Sequence, residues 1–302
     1  MDLLIVGTVA YDAIESPYGK TDKILGGAAT YIGLAAAKLG VTSSIVSVVG
    51  EDFEKNHLDL LTSNKIAING IEIIKGGETF FWKGKYHNDM NFRDTLETRL
   101  NVLENFSPKI PKENTSPSIV MLGNLSPSVQ LEALQQLTPK PKLTVLDTMN
   151  FWIENTLNDL LNTIKNVDVL IINDEELRLL TNETKINKGA KKIQEMGPKT
   201  VIIKRGEYGS VLFNENETFI LPAMLLDKVV DPTGAGDSFA GGFVGYLTKS
   251  KDLSFNNLKT ALVYATIAAS FCVQEFGTEG LTNTSLADFE NRLNEFKKLT
   301  QY

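Results

Sequence analysis

A run of small residues late in the chain has the spacing of an anion-binding turn. It reads Asp231-Pro232-Thr233-Gly234-Ala235-Gly236-Asp237 and leads into an apolar stretch. Small side chains at 234–236 leave the backbone N–H groups open to a ligand, and a helix that begins there adds partial positive charge. Asp237 would lie beside the anion, where a carboxylate can accept a proton from an attacking hydroxyl. The pattern indicates phosphoryl transfer, although a glycine-rich helix start with a dipole-favoured acid looks the same.

The composition excludes several other classes of protein. The formal net charge of −7 over 302 residues argues against a broad surface for nucleic acid or an anionic membrane. The single cysteine, Cys272, permits no intrachain disulfide, and with only two histidines a zinc site built from Cys and His is excluded. Because no apolar run is long enough for a signal peptide or a membrane helix, we expect a cytoplasmic protein.

The elements that would position this turn alternate between short apolar runs and helical stretches. The predicted strands are 3–7, 43–50, 118–123, 143–147, 167–173 and 200–204, with a hairpin over 209–222 that turns at 214–216. The predicted helices are 27–39, 52–63, 128–137, 155–165, 175–180 and 188–196, with helical sequence from 234 to the end. Fully apolar strands between helices predict an α/β fold with a mainly parallel sheet.

Residues 68–87 interrupt this rhythm with two β-like runs. In the second run the side chains alternate between two unlike faces, of which one carries Phe80, Trp82 and Tyr86. The other face carries Phe81, Lys83, Lys85 and His87. This segment is either a small sheet standing off the main domain or an edge hairpin.

The turn at 231–242 closely resembles the C-terminal signature of the ribokinase or PfkB-type carbohydrate kinase family. Gly26-Gly27, followed by a small-residue helix, resembles that family's N-terminal signature, and the order of elements agrees over nearly the whole chain. The resemblance implies one ribokinase-like domain over residues 1–302, a three-layer α/β/α sandwich with a small β lid. The lid would come from about 11–25 and 68–95, would exclude water from the reaction, and could pair two copies into a homodimer.

The resemblance also implies roles for individual residues in transferring the γ-phosphoryl group of ATP. The backbone amides of Gly234, Ala235 and Gly236 would form the anion hole, and Asp237 would deprotonate the acceptor hydroxyl. The implied acceptor-binding residues are Asp12, Gly26, Gly27, Tyr31 and Asn150. The implied nucleotide-binding residues are Asn173, Glu176, Lys204, Gly206, Gly209, Thr233 and Gly277. Glu176 would also contact Mg²⁺ through water.

Two departures from the family pattern bear on the acceptor. Tyr31 stands where the family usually has asparagine; its ring could stack on a base or a sugar, or face the core. Asp147-Thr148-Met149-Asn150 only loosely matches the family's Asp-x-Asn-x-Arg. We therefore expect a sugar or sugar-like polyol as acceptor, with a nucleoside as the alternative, and the identity of the acceptor, ADP as donor, and a role for 89–100 stay open.

Three other interpretations are weaker. Gly19-Lys20-Thr21 resembles the end of a phosphate-binding P-loop, but Ile14 replaces its first glycine. Gly234-Ala235-Gly236 resembles the start of a dinucleotide-binding motif, but Phe239 occupies the position of its last small residue. A non-catalytic binding protein on the kinase fold would have no need of a base at Asp237.

Overall fold

The computed structural model describes residues 2–301, in which the largest element is a nine-stranded sheet. Strands are numbered in chain order. Across the sheet, from one edge to the other, they are Glu217–Leu221 (β14), Ser210–Asn214 (β13), Thr200–Lys204 (β12), Val169–Asn173 (β11), Leu143–Asp147 (β10), Ile119–Leu122 (β9), Leu3–Val6 (β1), Ser43–Gly50 (β5) and Ile66–Ile74 (β6). The strands from β12 to β6 in this order pair in parallel, and the two pairings made by β13, with β12 and with β14, are antiparallel. The predicted mainly parallel sheet is confirmed.

Helices cover both faces of this sheet because both faces of its strands are apolar. In β1, Leu3 and Ile5 pack into one core cluster, while Leu4 and Val6 pack into the other. The first cluster is covered by Ala28–Ala37 (α1), Lys55–Ser63 (α2), Ala235–Ser250 (α8), Phe255–Cys272 (α9), Glu279–Thr282 (α10) and Leu286–Thr300 (α11). The second is covered by Pro127–Gln135 (α3), Asn150–Asn155 (α4), Leu157–Ile164 (α5), Asp174–Thr181 (α6) and Ile186–Met196 (α7). The three-layer architecture is therefore confirmed.

The predicted helices are found with shifted bounds, and two of the differences have a visible cause. The helix expected from residue 52 begins at Lys55, because the Asp52 carboxylate instead accepts hydrogen bonds from the N–H and hydroxyl of Thr79 at 2.7 Å. The helix expected over 155–165 begins only at Leu157, because Thr156 has a non-helical φ of −137° and separates it from α4, a helix that was not predicted. No helix within residues 2–301 is both long and apolar enough to cross a membrane.

A second, smaller sheet forms the lid. Its strands are Ala10–Ser16 (β2), Gly19–Lys20 (β3), Ile24–Gly26 (β4), Phe81–Tyr86 (β7) and Arg93–Arg99 (β8). The expectation that the lid begins at 68 is wrong, because β6 pairs with β5 at the edge of the main sheet. The edge-hairpin alternative is also wrong, since β7 runs parallel to β2. The supposed P-loop segment begins with lid strand β3.

The two faces of the lid have different partners. Asp12 pairs in register with Trp82, so the two side chains project from the same face. Tyr86 lies on that face too, and its hydroxyl is 3.1 Å from Thr233 Oγ1, so this is the face that closes on the main domain. Near the hairpin tip, the opposite face carries charges such as the pair between Lys85 and Glu15. The predicted alternation over 80–87 is therefore confirmed for Trp82 and Tyr86.

Candidate active site

The anion-binding turn and the Gly26-Gly27 loop meet because α8 lies directly against α1. A methyl group added to Gly241 would lie 2.8 Å from Ala35 Cβ, and one added to Gly245 would lie 2.9 Å from Ala36 Cα. Glycine at these positions therefore permits the close helix packing that brings the starts of α1 and α8 together. Both starts lie at the carboxyl edge of the parallel strands, where open α/β sheets bind ligands.

Asp231 holds the turn before α8 in place. One oxygen of its carboxylate accepts a hydrogen bond from the Thr233 N–H at 2.9 Å, and the other accepts one from the Gly277 N–H at 2.8 Å. The turn is thereby joined to the loop that carries Gly277. Ala235 donates its own N–H to the Pro232 carbonyl at 3.1 Å, which closes the turn and leaves this amide unable to serve the predicted anion hole as the structure stands. Sequence reasoning gave Asp231 no role, although an aspartate two residues before a turn amide is a recognised turn signal.

The Tyr31 ring packs against this turn at Gly234. Gly234 has a φ of +75°, and a methyl group there would lie 2.5 Å from three carbons of the Tyr31 ring. The tyrosine is 1% exposed, and its buried hydroxyl has no hydrogen-bond partner among the described residues. Of the two interpretations left open by the sequence, the ring therefore takes the core-facing one, and it offers no face on which a base could stack.

Asp237 lies in the first turn of α8 and is half-buried. Burial and the neighbouring Asp147 carboxylate raise the pKa of Asp237 to about 7, while Lys204 and Arg93 act in the opposite direction. A carboxylate with a pKa near neutrality is suited to accept a proton at physiological pH. The predicted base is thus placed beside the predicted anion site with a pKa that matches proton transfer.

Lys204 brings positive charge to the same turn from the end of β12. Its Nζ is 3.0 Å from an Asp147 carboxylate oxygen, and a methyl group on Gly236 would lie 2.9 Å from that Nζ. Burial lowers the pKa of Lys204, but Asp147 and Glu176 outweigh this effect and the net shift is upward. Lys204 is therefore a charged group next to the anion-binding turn. The Asp147–Lys204 pair spans 57 positions of sequence, and no local pattern predicted it.

Asn173 and Glu176 form a reciprocal cap at the start of α6. The Asn173 side chain accepts the Glu176 N–H, and the Glu176 carboxylate accepts the Asn173 N–H, both at 2.7 Å. Burial raises the pKa of Glu176 to about 7, against the charge of Lys204. The capping role is therefore present, and a buried carboxylate near Lys204 remains available for a second role.

Asp12 faces the cleft from lid strand β2, next to Gly26 and Gly27. A side chain on Gly26 would collide with the Asp12 carboxyl group, so the glycine makes room for it. Burial raises the pKa of Asp12 to about 8, reinforced by Asp231 and Asp237 and opposed by the Gly27 N–H. Three carboxyl groups thus share this part of the site, and Asp12 holds its proton near neutral pH.

This proton makes a test of the site possible. The folded-state pKa of Asp12 lies above the ordinary value of 3.8, so the folded protein binds the proton more tightly and stability falls as pH rises from about 4 to about 8. Asp12→Asn lacks this proton. We expect its melting temperature, relative to the natural protein, to be higher at pH 8.5 than at pH 5. Thermal unfolding at both pH values tests this, and an identical difference at the two would contradict the assignment.

The remaining predicted residues occupy the two flanks of the cleft. Gly206 and Gly209 follow β12 and have positive φ values of 55° and 83°, and the Arg205 N–H donates to the Gly209 carbonyl at 2.8 Å. Asn150 begins α4 and is exposed, without a side-chain hydrogen bond to any described residue. A methyl group on Gly206 would lie 3.7 Å from Asn91 Oδ1, so the tip of the β7–β8 hairpin reaches the loop after β12.

The comparisons with known proteins agree with this geometry. A profile of the pfkB family carbohydrate kinases matches residues 2–284. The cytidine kinase of Thermococcus kodakarensis is 30% identical over 258 residues, which cover 84% of this chain and 91% of that protein. The nucleoside kinase of Methanothermobacter thermautotrophicus is 28% identical and covers 92% of this chain and 91% of its own.

The fold is also found in solved structures. The nucleoside kinase of Methanocaldococcus jannaschii superposes with a TM-score of 0.78 over 98% of this chain and 99% of its own, at 24% identity. The predicted fold class and phosphotransferase activity are thereby confirmed, with ATP as phosphoryl donor and a hydroxyl group as acceptor. The chain belongs to the PfkB family of carbohydrate kinases.

Proposed function

We propose that this kinase phosphorylates a hydroxyl group of a nucleoside, with Asp237 as the base. The observation that carries the choice of acceptor is the pairing of Asp12 with Trp82 on the cleft face of the lid. A carboxyl group beside an indole ring offers hydrogen-bonding atoms for sugar hydroxyls next to a flat apolar surface for a base. A free sugar would use the first of these features and leave the second unused.

Two further observations support a nucleoside over a sugar. Trp82 is only half-buried, and its ring folds over Gly84, where any larger side chain would collide with it. The ring is fixed there by a hydrogen bond from Nε1 to Thr95 Oγ1 at 3.3 Å. In addition, the cytidine and nucleoside kinases described above align over most of their own length.

The chemistry follows from the groups around the turn. The acceptor hydroxyl loses its proton to Asp237 as its oxygen bonds to the γ-phosphorus, and the bond from that phosphorus to ADP breaks. The backbone N–H groups of Gly234 and Gly236 and the Lys204 ammonium stabilise the negative charge of the transferring group. Asp12 holds the acceptor, and Tyr86, bonded to Thr233, keeps the closed lid over the site so that water does not replace the acceptor.

Mg²⁺ fits the residues on the phosphate side. When bound, this ion neutralises phosphate charge, and it prefers oxygen ligands while keeping several waters. Within residues 2–301, no three Asp, Glu, His or Cys side chains form a cluster that could hold a metal ion, so the ion would depend on phosphate oxygens and water. Glu176, with its buried carboxylate, would hold such a water, and Asn173 positions Glu176 through the reciprocal cap.

The test is release of ADP from Mg-ATP with a panel of nucleosides, pentoses, hexoses and inositols. Because stacking on an aromatic ring contributes about 1–3 kcal/mol per base, we expect kcat/KM for the best nucleoside to exceed that for free ribose by about tenfold or more. Trp82→Leu should raise the nucleoside KM by about tenfold for the same reason.

Phe81→Leu provides the matched control. Phe81 directly precedes Trp82 in β7 and lies on the opposite face, where it packs against the main core cluster and Arg99 covers its ring with Cζ 4.4 Å from the centroid. This variant should keep the natural nucleoside KM. A free sugar that outperforms every nucleoside, or a nucleoside KM that Trp82→Leu leaves unchanged, would refute the proposed acceptor.

Two other expectations remain proposals. All residues of β8 are exposed, and one edge of this strand has no partner among residues 2–301, which supports the lid as the place where two copies would pair. The use of ATP is in keeping with a cytoplasmic location.

A further inference from the structure

Strand β8, for which the sequence predicted no role, brings an arginine to the cleft face of the lid. Arg93 is the direct partner of Tyr86 in the antiparallel β7–β8 ladder, and opposed residues project from the same face. The Tyr86 hydroxyl is 3.1 Å from Thr233 Oγ1, within the anion-binding turn. The Arg93 side chain therefore projects from the face of the lid that closes over the phosphoryl site.

The neighbours of Arg93 place it between the two phosphate-binding segments. Its guanidinium carbon is 5.7 Å from the centroid of the Trp82 ring, which lies on the same face. Two residues earlier, the side chain of Asn91 lies against Gly206, in the loop after β12. The lid hairpin thus contacts the turn at Thr233 on one side and the Gly206 loop on the other, with Arg93 between them.

We propose that Arg93 is a further catalytic residue, whose guanidinium binds the γ-phosphate of ATP and the phosphoryl group during transfer. The planar guanidinium offers several N–H donors to phosphate oxygens, and it neither gains nor loses a proton in the reaction. The bond that breaks, the bond that forms and the proton that moves to Asp237 are those of the proposed function. The inference rests on that function for the donor and the base, and is independent of the acceptor.

The charge of Arg93 acts on the phosphate side of the cleft. Burial dominates the pKa of both Asp237 and Glu176, and the Arg93 guanidinium opposes it in each case. The charged groups that act on Asp12 are instead Asp231 and Asp237. An arginine that bound the acceptor would be expected to shift the pKa of Asp12. Because Arg93 shifts the pKa values of Asp237 and Glu176 instead, a role at the phosphates is favoured.

The experiment compares Arg93→Gln and Arg93→Lys with Arg99→Gln. Arg99 is on the same strand and also covers an aromatic ring, but it lies with Phe81 on the face opposite to Arg93. We expect Arg93→Gln to lower kcat by about 10²-fold, less than a full arginine finger, with little change in acceptor KM. Arg93→Lys should recover part of the rate because the charge is kept, and Arg99→Gln should match the natural enzyme in kcat and melting temperature.

Two more measurements separate a catalytic role from a structural one. Arg93→Gln should weaken binding of ATP and leave that of AMP unchanged, as measured by calorimetry without any acceptor. It should also move the acidic limb of kcat/KM to higher pH, since Asp237 would then face Asp147 and Lys204 without Arg93. Equal kcat and equal ATP affinity in Arg93→Gln and Arg99→Gln would overturn the proposal. If no acceptor in the panel reacts, the proposed function fails, and the comparison of ATP with AMP still decides the role of Arg93.

Discussion

Asp237→Asn is expected to lower kcat by about 10²- to 10⁴-fold, the range typical of a lost general base. The amide has the size of the carboxylate but cannot take the acceptor proton at neutral pH. Affinity for ATP should stay the same or increase, because a negative charge next to the phosphates is removed. Steady-state kinetics with the best acceptor of the panel, together with calorimetry for ATP, would measure both effects.

The same residue predicts the pH dependence. A pKa of about 7 means that Asp237 becomes protonated, and inactive as a base, as the pH falls through neutrality. We expect kcat/KM to rise with pH up to about 7 and then level off. Asp288→Asn is the matched control, since Asp288 also lies in the first turn of a helix but is exposed in α11. Turnover close to normal in a folded Asp237→Asn variant would exclude this residue as the base.

Gly234→Ala is expected to destabilise the protein by about 2–4 kcal/mol and to abolish most activity. Two costs add together. A φ of +75° is unfavourable for alanine, and its methyl group would lie 2.5 Å from the fully buried Tyr31 ring, which has no room to withdraw. The turn must shift to relieve the contact, so its N–H groups would no longer point at the phosphoryl group. Urea unfolding and kcat measure the two consequences separately.

Gly40→Ala separates the two costs. Gly40 has a φ of +79°, close to that of Gly234, but a methyl group added there meets nothing within 4 Å. This variant should therefore lose only about 1 kcal/mol, from backbone conformation alone, with activity unchanged. If the two alanine variants lost the same stability, the Tyr31 ring would not be the rigid support that we describe.

The sequence predicts the elements of this fold well wherever both faces are buried. Strands 43–50, 143–147 and 200–204 are found with the predicted bounds, because a strand covered on both sides is mostly apolar and stands out as a continuous run. The hairpin over 209–222 was also correct, because its turn residues lie between two short β-like runs. These signals are local, and a local pattern is sufficient to find them.

The partners of each element were harder to predict. Residues 66–74 and 81–86 have similar β-like patterns, yet one joins the main sheet and the other the lid, and alternation does not encode which strand lies alongside. The same limit explains why the Asp147–Lys204 pair and the place of Arg93 on the cleft face were not foreseen. Tyr31 shows the reverse case, since its position in the site was predicted and the direction of its ring was not.

The path of the chain between the two sheets has a mechanical consequence. Strand β1 lies in the main sheet, and only three residues later β2 begins in the lid and carries Asp12. Since Asp12, Trp82 and Arg93 all belong to the lid, any outward swing would carry the acceptor and the guanidinium away from Asp237 together. An open molecule would then bind ATP without an aligned nucleophile, so little ATP would be hydrolysed in place of transfer to the acceptor. Opening would dismantle the catalytic geometry and free the product in one movement, so the rate of that swing sets an upper limit on turnover.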